Sequence, residues 1–306
     1  MFAYKYEIRY YSQMLNQSSI GQRRVALRAH AQSISVDSDL ALRHIQGEAR
    51  YFFEPDEFAR RTGREPGSAA VKSALQRLAR ARRIVLATKR PSGWLIVPAE
   101  HAHYGAPPVL WWLDDCLRRI EPDYYLALLS AARHWGSAHY AKQDVQVMVG
   151  KPRRALTPGR LSVIFFAKQG ISETPTVVVK SDVANWRVST REATLLDMIR
   201  HQSAIGGLES VARVVKDFSP ALQVSALATA LDALGQTPAA QRLGFLLDRL
   251  GSRALAAKTE SWLAPRKTLR HHLEPHVNIG RRTLEFDERW RLVYAPSRLS
   301  FLQELV

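Results

Sequence analysis

The chain has 306 residues, 46% hydrophobic and 9% aromatic, enough apolar material for two domains with cores of their own. A formal charge of +16 and an isoelectric point near 10.3 favour a polyanionic partner over an acidic-surface role. The lone cysteine, Cys116, excludes an intramolecular disulfide and a cysteine-rich zinc finger. No apolar run is long enough to cross a bilayer and the N-terminus lacks the apolar stretch of a secretion signal, so a reducing, cytoplasmic setting without membrane contact is expected.

Charge is unevenly spread. The first hundred residues hold seventeen Lys plus Arg against nine Asp plus Glu, so they supply +8, as much as the other 206 residues together. The N-terminal part is therefore expected to be the anion-binding one. Residues 1–36 form an N-terminal extension. MFAYKYEIRYYSQML reads equally as an arm, a strand or a dimer contact, and the basic GQRRVALRAHAQ as a short helix, either solvated or on a DNA backbone.

Residues 37–104 read as a winged helix-turn-helix. Asp37 or Ser38 caps a helix running to about Glu48, with Leu40, Ala41, Ile45 and Ala49 facing inward, and Tyr51 to Phe53 suits a short strand. Pro55 opens the next helix, Asp56 and Glu57 suit the positive end of its dipole, and Gly63 can supply a left-handed stop. Ser68 offers an N-cap for a longer helix whose Val71, Ala74, Leu75 and Leu78 recur at helical spacing, while Lys72, Ser73, Gln76, Arg77 and Arg80 occupy the other face. Ile84–Ala87 and Trp94–Val97 are β-rich runs around the turn-forming Lys89-Arg90-Pro91-Ser92-Gly93.

Between Phe58 and Arg90 stand ten cations and one acid, Glu65, whereas a solvated helix face usually mixes signs. With this helix in the major groove, Ser73, Gln76 and Arg77 reach base edges, and Lys72, Arg80, Arg83, Lys89, Arg90, Arg60 and Arg64 lie near phosphates. The plain alternative is a basic solvent-facing helix of a small α/β domain.

AEHAHYGAPP marks a boundary near residue 105, and a larger mixed α/β domain is expected over 105–306. Helices are expected over Leu110–Ile120 and over Asp123–Trp135, the latter with Tyr125, Leu128, Leu129 and Ala132 on one stripe. Strands are expected at Val145–Val149, Leu161–Ala167 and Thr176–Val179. Between the first two of these strands, read as a hairpin, Lys151, Arg153 and Arg154 form a possible second basic contact, with a solvated loop slightly favoured. Ser189 with Glu192 three residues on is a capping-box pattern before an amphipathic helix through Leu195, Leu196 and Ile199. From Gly206 to about Trp262 the chain reads as helical, with Leu208, Val211, Val215 and Phe218 on one face and QRLGFLLDRLG further on. An extended tail ends in a strand over Trp290–Tyr294.

No pattern of an active site emerges: there is no GxxxxGK[ST], GxSxG or HExxH. Asp197 within LLDMI is read as a structural hydrogen-bonding acid before a catalytic one, Cys116 as a packed thiol, and the acids Glu285, Asp287 and Glu288 as partners of neighbouring arginines. Neither His101 with His103 nor His271, His272 and His276 has the further ligands of a metal site. The expectation is no enzyme, no catalytic residues, no metal and no cofactor.

Several segments together resemble the AbiEi family of antitoxins, of bacterial type IV toxin–antitoxin (abortive-infection) systems. These are KSALQRLARARRIVLATKRPSGWLIVPAEHAHYGAPP, DYYLALLSAARHWGSAH, STREATLLDMIRHQSAIGGLESVA, QRLGFLLDRLG and RWRLVYA, spanning roughly residues 70 to 295. The resemblance implies an N-terminal winged-helix DNA-binding domain, a C-terminal antitoxin domain, and repression of the protein's own operon through inverted repeats in double-stranded DNA. It also implies antagonism of a nucleotidyltransferase-like toxin without stable contact; a dimer on DNA is a further possibility. The first fifty residues are longer and more aromatic than the family's usual start. The alternatives are a module that neutralises the toxin by contact, with DNA incidental, and, less favoured, a nucleic-acid-processing enzyme.

Overall fold

The computed structural model describes residues 37–137, 144–275, 277 and 283–305, and the expectations for 1–36 and for His276 lie outside these. The chain divides between Pro107 and Pro108 into two compact units.

In the first unit, residues 37–47 form helix α1, followed by β1 (Phe52–Phe53), α2 (Pro55–Arg61), α3 (Ala69–Arg80), β2 (Ile84–Lys89) and β3 (Ser92–Ile96). The strands make an antiparallel sheet in the order β1-β3-β2. Its core is set by helical spacing: Val71, Ala74, Leu75 and Leu78 of α3 are buried with Phe58 of α2 and Ile84 and Ile96 of the hairpin. In α1 the buried residues are Ala41, Leu42 and Ile45; Leu40 is 49% exposed and Ala49 lies past the helix end at φ 56°. Ala41 and Ile45 of the expected stripe are thus inward, Leu42 takes the place of Leu40, and Asp37 and Ser38 are already helical. The hairpin turns through Arg90 and Pro91 and is tied by Thr88 Oγ1 donating to the Pro91 carbonyl at 2.7 Å. Gly93 is required beside it, because a Cβ there would overlap the Phe52 ring and the Thr88 hydroxyl.

In the second unit the elements are α4 (Leu113–Ile120), β4 (Tyr124–Leu126), α5 (Leu128–His134), β5 (Val145–Val149), β6 (Val163–Ala167), β7 (Thr176–Lys180) and β8 (Asn185–Ser189). Then come α6 (Arg191–Arg200), α7 (Gly207–Phe218), α8 (Val224–Leu234), α9 (Thr237–Arg249), α10 (Arg253–Leu263), β9 (His271–His272), β10 (Glu285–Asp287), β11 (Leu292–Tyr294) and α11 (Phe301–Leu305). A mixed five-stranded sheet runs β6-β5-β4-β8-β7, and a small sheet runs β10-β11-β9.

Several expectations are corrected here. The single helix expected over 123–135 is a central strand and a short helix. Tyr124–Leu126 is an all-buried apolar run, which periodicity cannot tell from a buried helix, and Leu128 at φ 51° turns the chain between the two. The segment with Lys151, Arg153 and Arg154 is no hairpin tip, because β5 and β6 pair in parallel. Only Leu113–Ile120 of the first expected helix is α-helical, after a 3₁₀ turn at Val109–Trp111. The cap of α6 is Thr190, whose hydroxyl accepts from Ala193 N, while Ser189 still belongs to β8. That helix is buried from Glu192 to Ile199, packing between the sheet and the helices after it, so its amphipathic reading fails.

Candidate nucleic-acid interface

The backbone of α2 and α3 decides which charges face outward. Pro55 begins α2 at its first turn, Gly63 follows it at φ 62°, and Gly67 at φ 73° brings the chain to Ser68, whose hydroxyl accepts from Val71 N at 3.4 Å. Helix α3 then turns Val71, Ala74, Leu75 and Leu78 inward, and Lys72, Ser73, Gln76, Arg77 and Arg80 are all exposed. Residues three or four positions apart share a helix face, so burying Val71, Ala74, Leu75 and Leu78 together leaves the polar positions between them outward.

The ten cations between Phe58 and Arg90 do not behave alike. Arg61 is held by Glu57 and Glu48, at 3.0 and 2.7 Å, and Arg50 completes this four-membered network through Glu57 at 2.7 Å. Burial, the largest single influence, pushes the Glu57 carboxyl up, but the two arginines together outweigh it and hold its pKa below the ordinary value. Arg83 pairs with Asp39 at 3.3 Å. Arg64 is half-buried, 5.8 Å from the Phe58 ring centroid with an Nη1 contact to Ser38, and burial lowers its pKa. The other seven, Arg60, Lys72, Arg77, Arg80, Arg82, Lys89 and Arg90, are exposed and make no ion pair with any described residue. Of the residues singled out from the sequence, Arg64 therefore lies against the Phe58 ring and Arg83 is paired to an acid. Arg82, at φ 57° just past α3, joins the free set.

The second basic group falls apart. Arg153 points back to the end of α4, donating to the Ile120 carbonyl and to Glu121 at 3.3 Å, while Lys151 and Arg154 stay exposed.

The second unit holds a polar cluster that the sequence hid. Lys168, just past β6, donates to Asp197 Oδ1 at 2.9 Å and to Thr174 Oγ1 at 3.0 Å, and Tyr125 OH donates to Asp197 Oδ2 at 2.7 Å. The Lys168 and Asp197 side chains are only 2% and 1% exposed. Burial lowers the Lys168 pKa against the attraction of Asp197, and burial raises that of Tyr125. An acid amid LLDMI was the one sequence signal; Lys168 gave none. Asp197 is thus buried and accepts from both Lys168 and Tyr125. Burial also pushes the Cys116 thiol up to about 12. Among the described residues no group of three or more His, Cys, Asp or Glu could hold a metal, and no helix is long and apolar enough to cross a membrane.

The family model of the AbiEi antitoxin C-terminal domain matches residues 125–249. Over those residues the chain is similar to AbiEi antitoxins. The matched AbiEi segment runs from Tyr125 of the polar cluster to the end of α9 and includes Lys168, Thr174 and Asp197. No curated protein matches the chain. The crystal structure of the RV2827C protein from Mycobacterium tuberculosis is similar at a TM-score of 0.61 and 17% identity, over 87% of this chain and 94% of that one, a likeness of fold alone.

Proposed function

We propose that this protein is an AbiEi antitoxin that represses its own operon. Its first unit acts as a winged helix-turn-helix, with α3 the recognition helix and the β2–β3 hairpin the wing. The observation that carries this reading is the outward face of α3 together with the hairpin tip: exposed cations that no acid among the described residues pairs with, on a helix held by its buried face. Ser73, Gln76 and Arg77 read base edges in the major groove. Lys72, Arg80, Arg60, Arg82, Lys89 and Arg90 contact phosphates, with Arg83 and Arg64 nearby in supporting roles. The target is an inverted repeat in double-stranded DNA of the protein's own promoter, and the functional partner is a nucleotidyltransferase-like toxin opposed without a stable complex. The AbiEi match supports the antitoxin role, and no catalytic function is assigned to any residue.

The test is a gel-shift series with promoter DNA across salt concentrations. Neutralising about six phosphates gives a log–log salt slope near −5, at ~0.9 per phosphate. Arg77→Ala costs ~1–3 kcal/mol and relaxes sequence preference, whereas Lys89→Ala weakens all sequences alike. Wild-type binding by both variants would remove the assignment.

A further inference from the structure

Strand β7, Thr-Val-Val-Val-Lys, lies at the edge of the five-stranded sheet and, among the described residues, pairs only with β8. The ladder's parity is fixed at its two ends, where Thr190 N donates to the Pro175 carbonyl and Ser181 N to the Ala184 carbonyl. Backbone groups alternate between the two sides of an antiparallel strand, so Pro175, Val177, Val179 and Ser181 bond toward β8. Thr176, Val178 and Lys180 therefore turn their N–H and C=O groups outward. The side chains are open as well: Val177 is 41% and Val178 54% exposed. Edge strands are normally protected by proline, bulges, inward charges or extreme shortness. Between Thr176 and Lys180 there is no proline, no register shift and one charge, Lys180.

We propose that β7 pairs antiparallel with β7 of a second copy, about a two-fold axis at Val178, joining the two five-stranded sheets into one. Among the antiparallel registers, this one pairs all three outward residues of each copy. Val178 faces Val178 of the partner copy, Thr176 faces Lys180 on each side, and every outward N–H and C=O meets an opposite group. Like charges never stand opposite, because the two Lys180 residues lie about four strand positions, ~13 Å, apart. A closed two-fold contact of this kind consumes the β7 edge of both copies, so β7 takes up no third copy. The inference needs nothing from the DNA-binding reading, and a dimer without DNA affinity, or the reverse, separates the two.

The experiment is sedimentation of the full chain without DNA, up to ~100 µM, a range that captures micromolar association. A dimer is expected, and Val178→Lys, which sets two ammonium groups face to face at the axis, raises its dissociation constant at least ~tenfold with an unchanged far-UV spectrum. A second pair of variants fixes the register even if that substitution disturbs folding. Facing residues of a hydrogen-bonded pair have Cα atoms ~5.5 Å apart, within disulfide reach, so Val178→Cys oxidises to a covalent dimer. Thr176→Cys, at ~13 Å from its own copy, does not. A chain monomeric at ~100 µM, or a dimer in which position 178 fails to cross-link or 176 cross-links equally, overturns the proposal.

Discussion

Asp197→Ala is the perturbation with the largest expected effect on stability. The variant leaves the Lys168 ammonium 2% exposed with hydroxyl acceptors only, Thr174 Oγ1 at 3.0 Å, and it orphans the Tyr125 hydroxyl as a donor. Removing one partner of a buried ion pair costs about 3–5 kcal/mol, because the remaining charge keeps its desolvation penalty. The double variant Lys168→Met/Asp197→Leu removes both charges, and its cost should fall to the ~1–3 kcal/mol of the unsatisfied tyrosine. The coupling is read by urea unfolding under tryptophan fluorescence, which reports on the second unit because six of the seven tryptophans lie after Pro108. The pH dependence has a definite sign. The folded lysine binds its proton more weakly than the unfolded one, whose pKa is ~10.4, so stability rises as pH climbs from the folded value toward that figure. Without Asp197 to oppose burial, the folded value drops further, and the variant's deficit is largest at low pH and shrinks as Lys168 discharges. A loss under ~1 kcal/mol, or a double variant no better than the single one, would refute the buried-pair argument.

Ser68→Ala removes the acceptor for Val71 N and should cost the first unit ~1 kcal/mol in denaturant unfolding, with Ser68→Asn close to neutral. Gly244→Ala drives a methyl into the Trp290 ring, and overpacking of this kind should destabilise the second unit by ~1–3 kcal/mol or more, seen as a lowered unfolding midpoint. The thiol of Cys116, fully buried and pushed up to about 12, should resist alkylation at pH 8 in the native protein and react promptly in urea; native labelling at the denatured rate would contradict its burial.

Local chemistry was legible where the neighbouring residues alone decide the outcome. Pro55, Gly63 and Ser68 punctuate α2 and α3 by backbone requirements that need no tertiary partner, and the i, i+3, i+4, i+7 spacing of Val71 to Leu78 fixes the exposed face of α3. Where partners distant in sequence decide, the reading failed. Tyr124–Leu126 is a strand because β5 and β8 flank it, and nothing within three apolar residues announces that. Leu42 displaced Leu40 from the core because both lie in a short helix with apolar residues on two sides. Arg61, Arg64 and Arg83 looked like the other cations, and only Glu48, Asp39 and the Phe58 ring set them apart. The Lys168–Asp197 contact joins residues on separate elements across the sheet-to-helix layer, which no local pattern encodes.

The way α9 meets the end of the chain has a consequence for dissecting this protein. Gly244 leaves a notch that the Trp290 indole occupies, Gln241 Nε2 donates to the carbonyls of Leu269 and Trp290 at 2.9 Å, and Arg242 donates to that of His272. The family match stops at residue 249, so the last matched helix is completed by chain lying up to about forty residues beyond it. A fragment trimmed to the recognised segment would bare that notch and strand a buried glutamine and arginine without acceptors. The smallest piece worth expressing therefore reaches past Tyr294.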